Sequence, residues 1–267
     1  MMVTIYSIKG EKKGTINLGK VFNFPLRVDL IKKAVLVFRA NRRQKYGADK
    51  LAGLRTSAHY HGRSGLPPHV RMAGREMARL PRIHGEGPLL FRARAAPQAI
   101  KGRKAHAPVP EKNFTKSINK KEKKLALYSA LSASVNKELV LKRGHKIEKL
   151  KEVPLVVEDE FAKLNKTKEV YSVLKILGLK EELDRAKKKK IRAGKGKRRG
   201  RKYKKKKSAL IIVPEKCDLQ KAARNIPGIE ISLIKNLNVE KLAPGNNPGR
   251  LTIFTKSAVE QLNKFEI

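Results

Sequence analysis

One cysteine, Cys217, stands alone in 267 residues. A single thiol excludes an intramolecular disulfide and any four-cysteine zinc site, and it reads as a small buried hydrophobe beside a strand. Long apolar runs are missing as well. None approaches the roughly 18 residues needed to span a bilayer, and Met1 to Gly14 lacks the apolar centre of a signal peptide, so no membrane partner is expected and the chain is expected in the cytosol. Acidic residues are the third shortage, 23 against 64 lysines and arginines, for a formal net charge of +41. That imbalance implies a polyanionic partner.

The positive charge is concentrated. Arg39 to Pro110 holds 12 Arg and 4 Lys against 3 acidic residues, together with 8 Gly, 7 Pro, 5 of the 6 His and only 3 aromatics. Its apolar residues (Leu51, Leu54, Leu66, Val70, Met72, Met77, Leu80, Ile83, Leu89, Leu90, Phe91) are scattered, and no helical or alternating period lasts more than about two turns. Ordering a chain costs roughly 1–2 kcal/mol per residue in backbone entropy, and this stretch has little to offset it internally. A partner must supply the order. Arginine exceeds lysine there, and a planar guanidinium can fork onto two phosphate oxygens or stack on a base, which favours structured RNA. A second block, Arg185 to Lys207, holds 5 Arg and 11 Lys with no acidic residue. Without the two blocks the chain has the balance of an ordinary, somewhat basic globular body.

That body reads as α/β. Val3 to Ile8 and Thr15 to Leu18 alternate around a charged turn and predict a β-hairpin padding one side. Leu30, Ile31, Ala34, Val35 and Phe38 recur at helical spacing behind Asp29, which suits a first-turn or capping position. Asn119 with Glu122 forms a capping-box pattern before a helix of about six turns marked by Leu125, Tyr128, Leu131, Val135 and Leu139. Pro154 to Phe161 predicts a buried strand ending in an acidic turn, and a helix follows with Thr167 as N-cap and Gly178 at its C-terminus. A charged helix from Lys180 runs into the second basic block. Ala209 to Val213 reads as a central parallel strand, and Asp218 caps a helix closed by Pro227 and Gly228. Ile229 to Ile234 and Leu251 to Phe254 add strands, and Ser257 with Glu260 opens the last helix. The order strand, helix, strand, helix, strand, strand, helix predicts one globular domain with a mostly parallel sheet flanked by helices. Residues 1–38 and 111–267 form it, 39–110 is a long inserted loop, and 185–207 is a second basic extension.

Candidate chemistry is sparse. His59-x-His61 with His69 and His84 resembles a metal-ligand spacing, yet cysteines and nearby carboxylates are absent and arginines surround it, so no metal and no cofactor is expected. Stacking on bases, or donation to phosphate and ribose oxygens, suits these imidazoles better. Gly62-Arg63-Ser64-Gly65 matches the clamp of KH domains but lacks the flanking helices, which leaves a turn. Glu158, Asp159 and Glu160, at the end of a strand, could hold magnesium in a nuclease. They lack a second carboxylate cluster, and a local charge balance accounts for them. No catalytic residue is assigned. Two other readings remain at this level, an RNA-processing nuclease and a DNA-compacting protein.

Specific motifs narrow the choice. QKYGADKLAGLRTSAHYHG, then MARLPRIHG, GRKAHAP, PLVVEDEF with KTKE, and RGRKYKKKKSALIIV together resemble the large-subunit ribosomal protein L-four family in its archaeal and eukaryotic form. The resemblance spans essentially the whole chain. It implies an α/β body bound to large-subunit ribosomal RNA and neighbouring ribosomal proteins in the cytoplasmic ribosome. It also implies that Arg39 to Pro110 threads inward to line the polypeptide exit tunnel, with Gly62 to Arg82 deepest and the nascent polypeptide a transient partner, and that Glu158 to Glu160 is a structural turn. Two departures stand out. The family often has a glycine-rich run where this chain has LPPHVRMAGREM, and GGRxAHPP where it has IKGRKAHAP. A chain ending near Ile267, without the long eukaryotic extension, is expected to be archaeal. The RNA-binding candidates in the first block are Arg39, Arg42, Arg43, Lys45, Arg55, His59, His61, Arg63, Arg71, Arg75, Arg79, Arg82, Arg92, Arg94, Lys101, Arg103, Lys104 and His106. In the second they are Lys187, Lys188, Lys189, Arg192, Lys195, Lys197, Arg198, Arg199, Arg201, Lys202, Tyr203 and Lys204.

Overall fold

Short apolar runs flanked by lysine, proline or glycine form the middle of the molecule, as a strand covered on both faces requires. The computed structural model describes all residues except 63–66, 68–70, 85–86 and 265–267. In chain order the elements are β1 (Met2–Tyr6), β2 (Lys12–Asn17), α1 (Val28–Asn41), α2 (Lys120–Val135), α3 (Lys137–Lys142), β3 (Leu155–Val157), α4 (Thr167–Ile176) and α5 (Lys180–Lys187). They continue with β4 (Lys190–Ile191), β5 (Tyr203–Lys204), β6 (Leu210–Val213), α6 (Leu219–Ala223), β7 (Glu230–Leu233), α7 (Val239–Leu242), β8 (Thr252–Thr255) and α8 (Lys256–Asn263). A six-stranded sheet runs β2-β1-β3-β8-β6-β7, parallel throughout except for the antiparallel β1–β2 pair at one edge. The protein is therefore α/β with a mostly parallel sheet. The N-terminal hairpin forms, but β1 joins the main sheet beside β3 instead of padding it.

The two-residue period of the strands divides the core. Val3, Ile5, Val156, Leu210, Ile212 and Phe254 point to one face and pack with α1, α2, α7 and α8. Leu155, Val157, Ile211, Val213 and Ile253 point to the other and pack with α4, α5 and α6. Ile211 and Ile212 are both fully buried on opposite faces, and each contributes on the order of 1.5–3 kcal/mol. Cys217 is half-buried against the second cluster, and burial raises its thiol above the usual value.

Several helix ends differ from expectation. The six-turn helix is broken at Asn136, whose backbone turns extended and whose side chain accepts from the Glu138 and Leu139 amides at 3.0 and 3.4 Å to start α3. The Asn119 side chain makes no cap bond, although Glu122 bonds back to the Asn119 backbone. The position before α4 is Lys166, with Thr167 already inside, while Gly178 follows the helix at φ +84°, where a Cβ is strained. Asp218 precedes α6 without a side-chain cap bond, and α8 starts one residue before Ser257. There the cap comes from the acidic turn: Asp159 Oδ1 accepts the Ser257 amide at 3.0 Å.

By its internal contacts the chain falls into two units, Met1–Asn41 with Lys116–Ile267, and Arg42–Thr115. Arg39 lies in the last turn of α1, so the helix extends beyond the expected start of the loop. The second unit contains no helix or extended strand among the described residues. Isolated bridges join His59 to Arg82 and Arg82 to Ala93, and Met72 and Ala96 are buried.

Candidate nucleic-acid interface

Segment 42–115 is held by devices suited to a chain without a core. Its backbone carbonyls need donors that a sheet would otherwise supply, and arginines provide them. Arg82 donates to Phe91 O at 2.7 Å and Ala78 O at 2.8 Å, Arg94 to Ala93 O and Ile100 O, and Arg75 Nε to Arg71 O at 3.1 Å. The Arg75 guanidinium also lies 4.3 Å from the Phe91 ring. These three arginines, like Arg71, are half-buried, and their charge reaches solvent only in part. Arg55 is exposed and pairs with Asp49 at 2.6 Å.

Most of the remaining candidates of the first block face outward. Arg42, Arg43, Lys45, Arg79, Arg92, Lys101, Arg103, Lys104 and His106 are exposed. Near the ends of the segment Tyr46 stacks on Phe114 with centroids 6.0 Å apart, and Arg43 covers the Phe114 ring at 4.3 Å. Such a half-exposed stack of aromatic and guanidinium planes is a platform on which a nucleobase can add a layer. Arg39, in the body, faces Glu240 at 3.8 Å. Arg63, His69 and most of the Gly62-to-Gly65 turn lie outside the described residues. His59, which is exposed, and His61 and His84, which are half-buried, turn toward one another. Burial and the neighbouring imidazoles hold His61 and His84 below the usual histidine value.

The second block forms a small antiparallel hairpin that its composition does not announce. β4 and β5 pair Lys190 with Lys204 and Ile191 with Tyr203, and the Arg192 amide donates to Lys202 O at 2.8 Å. Gly194, at φ +81°, opens the turn that carries Lys195, Lys197, Arg198 and Arg199. Lys189 and Lys202 each lie 5.7 Å from the Tyr203 ring. Every candidate here, Lys187, Lys188 and Arg201 included, is exposed. Opposed lysines repel, and an isolated two-stranded hairpin is marginal in water.

The acidic turn is occupied structurally. Glu158 pairs with Lys13 at 2.8 Å, and Asp159 caps α8. Beneath the second block, the Glu182 carboxylate is buried and accepts from His145 Nδ1, Arg185 Nη2 and Ser208 Oγ at 2.7, 2.6 and 3.0 Å. Arg250, fully buried, donates to Ser208 O, Lys241 O and Glu230 Oε2. Neither group was marked by the sequence pattern. An interior arginine in so basic a chain looks like every other, and the one signal was its place between Gly249 and an apolar strand.

Comparison with known proteins shows the family. The family model described as "Ribosomal protein L4/L1 family" matches residues 16–265. The chain belongs to that family. It is 46% identical over 266 residues to the large ribosomal subunit protein uL4 of Methanopyrus kandleri, covering 99% of this chain and 98% of that one. It is 47% identical over 259 residues to its counterpart in Methanococcoides burtonii, covering 97% and 96%. With the counterpart from Haloquadratum walsbyi, identity is 45% over 263 residues, covering 98% and 99%. These family members are archaeal and structural rather than catalytic, in keeping with an acidic turn spent on a cap and an ion pair.

Proposed function

We propose that the protein is a structural constituent of the large ribosomal subunit in the cytoplasm, bound to large-subunit ribosomal RNA and neighbouring ribosomal proteins. In this reading segment 42–115 lines part of the polypeptide exit tunnel and touches the nascent polypeptide in passing. The observation that carries it is the pair of charged, core-poor extensions on a well-packed α/β body. Lys190 opposite Lys204, within a hairpin bearing no acidic residue, is stabilised when anions interleave with the ammonium groups.

Binding energy then comes from phosphate contacts and counterion release, with shape recognised more than base sequence. Exposed Arg42, Arg43, Arg79, Arg92, Arg103 and the hairpin cations supply the phosphate contacts. Tyr46, Phe114 and Tyr203 supply stacking faces. Arg75, Arg82 and Arg94 act chiefly on the segment's own carbonyls, presenting to RNA whatever edges remain. Family membership supports the ribosomal role, and the body's unbroken sheet suits a scaffold.

Sedimentation tests this directly. A tagged copy expressed in cells should travel with the large subunit and persist through a high-salt wash. Release at low salt, or recovery with bulk DNA, would sink the reading.

A further inference from the structure

Three imidazoles meet inside segment 42–115, and holding RNA accounts for none of their mutual contacts. His59 and His61 alternate along an extended stretch whose backbone pairs with Arg82, His59 N to Arg82 O at 3.2 Å and Arg82 N to His59 O at 3.0 Å. Extended chain repeats every two residues, so positions 59 and 61 share a face with 82 and 84 of the paired stretch. His84 therefore arrives diagonally. Ring centroids are 4.0 Å apart for His59–His61, 4.1 Å for His61–His84 and 4.8 Å for His59–His84, and Phe91 closes one side edge-on to His84 at 5.9 Å.

We propose that His59, His61 and His84 bind a divalent transition-metal ion, zinc foremost, which pins the two stretches of segment 42–115 together. Unpartnered nitrogens are the first reason. Among the described residues, both ring nitrogens of His61 and Nε2 of His84 are shielded from solvent without a hydrogen-bond partner, and a native structure rarely leaves such lone pairs and protons unmatched. The second reason lies behind the rings. His59 Nδ1 is 2.8 Å from Ser57 O, and His84 bonds to the His59 backbone. An imidazole that donates one N–H to a carbonyl is fixed in the tautomer whose other nitrogen is a free lone pair, which is how metal-bound histidines are oriented.

Distances fit after a small adjustment. One nitrogen from each ring can be chosen so that all three lie within 4.8 Å of one another. A tetrahedral ion at about 2.0–2.1 Å from each ligand sets them about 3.3 Å apart, so the nitrogens must close by up to about 1.5 Å, within reach of side-chain rotation. Three imidazoles, with no carboxylate in the cluster among the described residues, select zinc, copper or nickel over magnesium or calcium. The fourth position is left to water.

Nearby cations oppose the ion, but their heads are committed elsewhere. Arg82 reaches the carbonyls of Ala78 and Phe91, and Arg75 lies over the Phe91 ring. The benefit is structural. A segment with only Met72 and Ala96 buried among its described hydrophobic residues lacks a core there, and small core-poor units commonly recruit a metal in its place.

Chelator-stripped full-length chain, dialysed against zinc, should hold one equivalent, and His61→Gln/His84→Gln should bind at least tenfold more weakly. His106→Gln, altering an exposed histidine outside the cluster, should keep the full equivalent. Cobalt substituted for zinc should show the intense visible absorption of a tetrahedral site in the unaltered chain and in His106→Gln, but not in the double variant. The same pair of chains assembled into large subunits should differ by one zinc per subunit, a measurement that covers a segment ordered only by RNA. Equal zinc in both chains, free and assembled, overturns the proposal, as does loss in His106→Gln. Either result leaves the ribosomal reading untouched, because the phosphate and stacking contacts assigned to it under the proposed function involve none of the three rings.

Discussion

Glu182 shows how much a single buried residue decides in this body. Burial by itself would raise its carboxyl, but donors from Arg185, His145 and the Lys146 amide outweigh it and hold the group at about 2, against an ordinary 4.5. His145 is depressed by burial although Glu182 pulls it upward, and its Nε2 faces the Leu251 amide at 3.4 Å, which fits a neutral ring donating through Nδ1. Both groups bind protons more readily in the unfolded chain, so both make stability fall with falling pH. The histidine's share is lost below about pH 6.5, and the carboxylate's share is lost between about pH 4.5 and pH 2. Urea unfolding of the body as a function of pH should show this two-stage decline. Glu182→Gln leaves Arg185 and His145 facing a neutral amide and should cost about 3 kcal/mol or more at pH 7 while flattening the lower stage. An unchanged midpoint would mean that the cluster relaxes into water.

At the scale of elements, strands were the legible part. Leu210 to Val213 and Leu155 to Val157 are covered on both faces, so their whole run is apolar and short, a pattern that survives any detail of packing. Helix ends were less legible because their partners lie far away in sequence. The cap of α8 comes from Asp159, whereas the local pattern pointed to Ser257 and Glu260. The break at Asn136 was hidden because Leu139 continues the apolar spacing of α2 across it. Removing that cap with Asn136→Ala should cost about 1 kcal/mol and lower the melting temperature by roughly 2–4 °C. No loss would show that the amides of Glu138 and Leu139 are satisfied by water. The β4–β5 hairpin was illegible for an opposite reason: opposed lysines violate the pairing rule that sequence reading relies on. As for the candidate site, abundance of cations could be read off, but not their division into outward heads and internal carbonyl donors, which depends on how the segment folds back on itself.

For the whole molecule the two units make separable predictions. Lys116 N donates to Asn41 Oδ1 at 2.8 Å, so the body closes across the ends of segment 42–115 without it. Replacing Arg42–Thr115 with a short Gly-Ser linker should leave a cooperatively melting α/β protein by circular dichroism, since loop entropy grows slowly with length. A molten product would show that the segment is part of the body's core. In RNA binding, neutralising about ten phosphates gives a log–log salt slope near −7 to −9, and shortening the hairpin between Lys190 and Lys204 to a two-residue turn should flatten it by several units. An unchanged slope would mean the hairpin is solvated.

The tunnel assignment is the most exposed to failure. A wall that nascent chains slide past must not hold them, so its inner surface should offer small or singly spaced groups with no sticky patch. Among the described residues Gly74 has nothing within 4 Å of where a Cβ would be, and Pro67, Met77 and Ala78 are exposed. Charge reversal by Arg71→Glu acts outside the body, so melting of the free protein should be nearly unchanged while subunit assembly or nascent-chain passage suffers. A stalled nascent chain carrying a photoreactive residue at successive depths should cross-link to the stretch from Gly62 to Arg82 at one or a few positions. If every probe position misses that stretch while the protein remains in the subunit, the segment anchors RNA away from the tunnel, and the small exposed groups serve close packing against the nucleic acid instead.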